Sequence, residues 1–181
     1  MLAAQTTVVA VVAPEGATPL ARVKASNVRV LRDGGTGTPV ERAVHVCEQA
    51  RKTTVPYLVH DADPLGWVAE AWVRRFDEQG VAGDLEVAVS ETLARWRARS
   101  LDLPDYYVVV DPESLTPTRR HWYLGVLATA APLRVVVSGP SEPVVDHLGD
   151  LRPGPWWPEL DRLLAGVDRV VPDQAGPLRA G

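Results

Sequence analysis

The chain has 181 residues, a formal net charge of −4 and 46% hydrophobic residues, a length that suits one domain burying about 70% of the surface its unfolded form exposes. Its single cysteine, Cys47, rules out an intrachain disulfide framework and a cysteine-based zinc site, and the negative balance argues against a general nucleic-acid binder. The start, MLAAQTTVVAVVA, lacks a basic segment, and no apolar run reaches the roughly 20 residues of a membrane span, so a soluble, cytoplasmic protein with no membrane partner is expected.

In chain order, the first expected element is the valine-rich run TTVVAVVA at 6–13, followed by VRVL at 28–31. Both are too short for helices and end in turn residues, as buried strands do. The glycine cluster DGGTG then leads into a helix. Thr38 and Glu41 form a capping box with Pro39 at the first helical position, and Val40, Ala43, Val44, Cys47 and Ala50 keep helical spacing. PYLVH at 56–60 is the third strand. Asp63 before Pro64 is expected to cap the next helix, with Leu65, Val68, Ala69, Trp72 and Phe76 as its buried stripe and Gly80 at its end.

LEVAVS alone reads as a strand, but the stripe Leu85, Ala88, Val89, Leu93, Trp96 persists over three turns, so the spacing favours a helix from Asp84 over 84–100. YYVVV at 106–110 is the fourth strand. A helix starts near Thr116 and Pro117 and places Trp122, Tyr123, Val126, Leu127 and Ala130 on one face. LRVVVS at 133–138 is the fifth strand, and DRVV at 168–171 a weaker sixth. Short helices are expected near Glu142–Leu148 and Pro158–Leu164, with Ser141 as a cap. Residues 1–172 thus read as a single α/β domain and 173–181 as a flexible C-terminal tail. Continuous apolar strands alternating with helices predict a three-layer, Rossmann-like sandwich with a mainly parallel sheet of five or six strands.

In such a sheet every parallel strand ends on one edge, where ligands bind. The residues after the strands are Asp33 and the glycine loop, then His60, Asp61 and Asp63, then Asp111 and Glu113, then Ser138, Gly139 and Ser141. Carboxylates gathered there suit Mg²⁺, a hard cation that bridges to phosphate oxygens. Asp61 and Asp111 are the candidate metal ligands and, with His60, the candidate catalytic groups. Asp61 leads, because Asp63 can serve as the helix cap. Each of these residues also has an ordinary reading as a cap or turn former.

Backbone N–H groups at a helix start, approached through glycines, form an anion site. Gly34, Gly35, Thr36, Gly37 and Thr38 are therefore candidate phosphate-binding residues, and a plain strand-to-helix corner is the alternative. VRVLRDGGTGTP loosely resembles the acidic-then-Thr-Gly-Thr loop of phosphoribosyltransferases, with the usual acidic pair reduced to Arg32 and Asp33. GGTGT resembles part of the tubulin-like GTPase signature, without its leading and closing glycines. Both likenesses stop at this loop and assign no family.

In TPTRRHWY, Arg119 and Arg120 fall in a helix's first turn, where the macrodipole disfavours cations. Either Asp111 and Glu113 pair with them, or they clamp an anionic ligand. WVRRF and RWRAR interleave arginine with aromatics, but at the spacing of amphipathic helices. Trp156 and Trp157, between prolines, read as a packed corner; exposed, they would mark a partner surface. No nucleophile elbow and no His/Cys metal spacing is present.

Two functions follow. One is binding, with or without Mg²⁺-dependent turnover, of a nucleotide or phosphorylated small molecule at the C-terminal sheet edge. The other is a non-catalytic α/β module that binds a protein partner, or less favourably nucleic acid, through its Arg/Trp-bearing faces. Whether the chain is an enzyme, and its oligomeric state, are left open by the sequence.

Overall fold

The computed structural model describes residues 6–32, 37–77, 79–154 and 157–172. Five strands, β1 (Thr7–Val12), β2 (Val28–Leu31), β3 (Tyr57–His60), β4 (Tyr106–Val110) and β5 (Val135–Ser138), form one sheet in the order β2-β3-β1-β4-β5. All neighbouring pairs are parallel, with Ala10 beside both His60 and Tyr107. This is the expected α/β sandwich. Its central strands are apolar on both faces because both faces are covered.

One face is thickly covered. It carries α1 (Pro39–Arg51), α2 (Gly66–Phe76), α3 (Asp84–Arg97), α4 (Pro117–His121) with its continuation, and α7 (Leu160–Leu164). Ala10, Val12, Tyr107 and Val109 pack there against Val68, Trp72, Leu85, Trp122 and Leu160. Val46 of α1 packs with Leu58 and Ala62 on the same side. The other face is thin. Val9, Val11, Val59 and Val108 pack there with Leu20 and Val23, around the 3₁₀ turn Pro19–Arg22, and with Val144, Leu148 and Leu151 around α6 (Val144–Leu148).

Topology explains the asymmetry. The steps β2 to β3, β3 to β4 and β4 to β5 all move the same way along the sheet, so right-handed crossovers put them on one face; the step from β1 to β2 runs backward and crosses the other.

α1 starts as its sequence dictates. The Thr38 hydroxyl accepts from the Glu41 N–H, and a Glu41 carboxylate oxygen accepts from the Thr38 N–H at 2.7 Å. Residues 84–97 are helical from their first turn. Three expectations are corrected. The run 168–171 is no strand: Val167–Arg169 is a 3₁₀ turn whose one buried side chain is Val167, just before the run, while Val171 faces solvent. Asp63 is not the N-cap of α2, which begins at Gly66 with Leu65 before it; its side chain instead accepts from the Leu65 N–H in the turn that leads into the helix. Ser141 does not cap α6 either, since Glu142 folds back to accept from the Gly139 N–H and Pro143 precedes the helix.

Candidate functional site

β1 sends the chain across the thin face while β3, its neighbour, sends it across the thick one. Their C-terminal ends therefore diverge, which is where crevices open in this class of sheet. A cavity of about 310 Å³ lies there, lined by Pro14, Thr18, Arg32, Asp61, Asp63, Arg119 and Tyr123 among others.

Asp63 is the hub of its inner wall. One carboxylate oxygen accepts from the Leu65 N–H and from the Tyr107 hydroxyl, both at 2.8 Å, and the other accepts from the Tyr123 hydroxyl at 2.7 Å. Tyr107 comes from β4 and Tyr123 from the helix after α4, so one carboxylate ties three segments together. Burial pushes the Asp63 carboxyl above its ordinary value, against the pull of the Tyr123, Tyr107 and Leu65 donors and of the Arg119 charge. Both tyrosine hydroxyls are pushed well above theirs, first by burial and then by the Asp63 charge, so they remain protonated donors.

Tyr123 is aimed by an irregularity in its helix. After α4 the backbone widens into a π turn, Trp122–Leu127, before closing as α5 (Ala128–Ala130). Such single-turn widenings recur at functional sites. Gly125 makes room for it: a Cβ there would lie 2.6 Å from His121 Nε2, and the His121 ring stacks on Trp72 with centroids 6.2 Å apart.

The two arginines of TPTRRHWY part company. Arg120 pairs with Glu113 at 2.6 Å, the ion pair that offsets the macrodipole conflict. Arg119 turns to the crevice, where it acts on the Asp63–Tyr123 pair; its Nε is buried without a hydrogen-bond partner.

The other candidates fall elsewhere. Asp61 lies exposed on the crevice rim. Asp111 follows β4, separated from β3 by β1, about 10 Å at two strand spacings. It adopts a left-handed backbone (φ 47°) and accepts from the Ser114 hydroxyl at 2.6 Å. No group of three or more metal-ligating side chains is found among the described residues. His60, one residue before Asp61, points into the thick layer and is 1% exposed. Gly34, Gly35 and Thr36 lie outside the described residues, as do Trp156 and the expected tail at 173–181.

Gly37 and Thr38 are described. Gly37 has φ +88°, and the Glu41 carboxylate stands over it, so the start of α1 already holds an anion of the protein's own. Trp157 belongs to a packed corner: its indole N–H donates to the Pro104 carbonyl at 2.6 Å, and its ring meets Tyr107 edge-on.

Sequence reasoning placed Asp63 and Tyr123 in structural roles and left Arg32 and Tyr107 unassigned. One signal was available. A tyrosine in a buried stripe needs a partner for its hydroxyl, and two such tyrosines call for a buried acceptor. No protein-family model, curated protein or solved structure matches this chain.

Proposed function

We propose that this protein binds a phosphorylated small molecule or nucleotide in the crevice between the C-terminal ends of β1 and β3, with Arg119 and Arg32 as its cations. The observation that carries this reading is Arg119. Its guanidinium is held by the Asp63–Tyr123 pair at the crevice wall, and its buried Nε has no hydrogen-bond partner in the protein. An arginine fork presented at a sheet edge is suited to a phosphate.

Charge balance supports a role for Mg²⁺. Asp61 and Asp63 stand beside Arg32 and Arg119 in the same lining, so the crevice has no surplus positive charge for a dianion. Mg²⁺ usually binds through one or two carboxylates together with substrate phosphates and waters. Asp63 is enclosed by three donors, whereas Asp61 is exposed at the rim, where an incoming ion reaches a carboxylate first. If the bound ligand is turned over, Asp61 is also the proton acceptor within reach of the crevice.

Thermal unfolding against ATP, GTP, phosphoribosyl pyrophosphate and inorganic phosphate, each with and without Mg²⁺, tests the reading. A ligand at 100 times its Kd adds about 2.7 kcal/mol, roughly 5–10 °C for a chain of this size. The expected result is a Mg²⁺-dependent shift with an organic phosphate that Arg119→Ala abolishes, each protein's shift being read against its own ligand-free Tm. No shift with any of the four, or a shift that Arg119→Ala leaves intact, overturns it.

A further inference from the structure

The sheet edge opposite the crevice carries a different grouping. α1 returns the chain to the start of β3, so its last residue, Arg51, lies at the N-terminal edge. A cavity of about 570 Å³ there is lined by Arg51, Trp96, Arg97, Arg99 and Asp102. Asp102 is the one acceptor side chain among these donors. Arg51 pairs with Asp102 and also donates to the Arg99 carbonyl at 2.7 Å, and Arg97 pairs with Asp161. These bonds use a single terminal nitrogen of each guanidinium. The Arg99 guanidinium has no partner among the described residues, and neither has the Trp96 indole N–H. The Trp96 ring is half-buried against the main core, while its nitrogen is not among the buried unpaired atoms and so stays within reach of solvent. Three guanidinium groups thus meet two carboxylates, and one positive charge is unanswered.

Arg99 also stands where another residue would be easier to place. It follows Ala98, the C-cap of α3, with φ 55°. The turn closes through the Arg99 N–H to the Trp96 carbonyl at 2.9 Å and the Ser100 N–H to the Arg95 carbonyl at 3.0 Å. Glycine is the usual residue at this left-handed position, because a side chain there is strained. The macrodipole asks for cations near this helix end, which Arg95 and Arg97 already supply in the last turn, and it asks for no strain beyond it. A strained residue that carries the unanswered charge points to a use for that charge.

We infer that this grouping is a binding site for a small organic carboxylate, held by the Arg99 fork and the Trp96 indole N–H. One surplus positive charge matches a monoanion, whereas a phosphate dianion would leave a charge of its own unmatched. An arginine fork receives both oxygens of a carboxylate, and the volume has room for an organic body of small-molecule size. The site shares no lining residue with the crevice between β1 and β3 and does not depend on the phosphate reading of it.

The test is a titration of the ¹⁵N-labelled full chain with benzoate, followed by the amide, indole Nε1–H and arginine Nε–H resonances. Benzamide is the uncharged counterpart and phenyl phosphate the dianionic one. The expected result is saturable binding of benzoate with shifts centred on the Trp96 indole N–H and Arg99 Nε–H, and at least tenfold weaker binding of both counterparts. Arg99→Gly should abolish these shifts while its Tm equals or exceeds that of the unmodified protein, since glycine relieves the strain. Arg119→Ala, in the crevice, should leave the shifts unchanged. Shifts centred elsewhere, no saturation, equal or tighter binding of either counterpart, or benzoate binding that survives in Arg99→Gly overturns the inference. A lowered Tm in Arg99→Gly also overturns it, because the arginine would then serve the fold.

Discussion

His60 and Asp63 sit three residues apart and titrate in opposite senses on folding. Burial holds the His60 imidazole down to about 4 from 6.5. The unfolded chain therefore takes up a proton below pH 6.5 that the folded chain refuses until about pH 4. The associated stability is complete above pH 6.5 and is lost as pH falls to about 4, about 3 kcal/mol over the window. Asp63 behaves the other way. Its folded value is raised above 3.8, so its contribution is present below that value and declines as pH rises through the folded one. Urea unfolding between pH 4 and 7 reads the difference. His60→Gln should flatten the rise of stability with pH, and Asp63→Asn should steepen it. The same slope in all three proteins would show that neither group titrates differently on folding. The sequence places both residues after the third strand, His60 as a candidate catalytic group and Asp63 as a helix cap. It does not say which way each side chain points, because adjacent positions in a strand face opposite layers and only the pairing register decides which layer is which.

At the scale of the element, legibility depends on whether the signal is local. Thr38, Pro39 and Glu41 specify the start of α1 within four residues, and the structure contains that capping box. The π turn in WYLGVL is different. Its apolar residues would be buried in a regular helix too, so nothing in the pattern announces the extra residue per turn. Gly125 was the available hint, and its meaning depends on His121, which stacks against Trp72 from another helix. Gly125→Ala should bring a methyl group into the imidazole and cost about 1–3 kcal/mol, the usual range for overpacking. If the imidazole is the obstacle, the cost should fall in the double variant with His121→Ala, where the two changes are not additive. Urea midpoints of the four proteins of this cycle decide it. Strict additivity would place the strain elsewhere in the turn.

At the scale of the whole molecule, the parallel sheet was readable because five valine-rich runs are each too short for a helix and too apolar for an exposed strand. The sixth run failed because its apolar residues carry no information about whether a sheet edge is free to receive them. The chain after α6 instead closes the thick layer. Leu160, Leu164 and Val167 are almost fully buried in the main core, and the Trp72 indole N–H donates to the Val167 carbonyl at 2.9 Å. Arg97 of α3 pairs with Asp161 on the outside. These contacts make α7 part of the wall that holds α2 and α3 against the sheet, and α2 in turn packs against the helix carrying Arg119 and Tyr123. Leu160→Ala removes a fully buried side chain at a cost of about 2–5 kcal/mol. If α7 unfolds together with the sheet, the urea midpoint should fall while the m value stays constant, since the surface exposed on unfolding is unchanged. A small early transition with the main midpoint preserved would instead make α7 an independent flap over a core complete without it. The cooperative outcome also predicts that any ligand bound between β1 and β3 protects the α7 amides from hydrogen exchange, because both would then open only with the whole molecule.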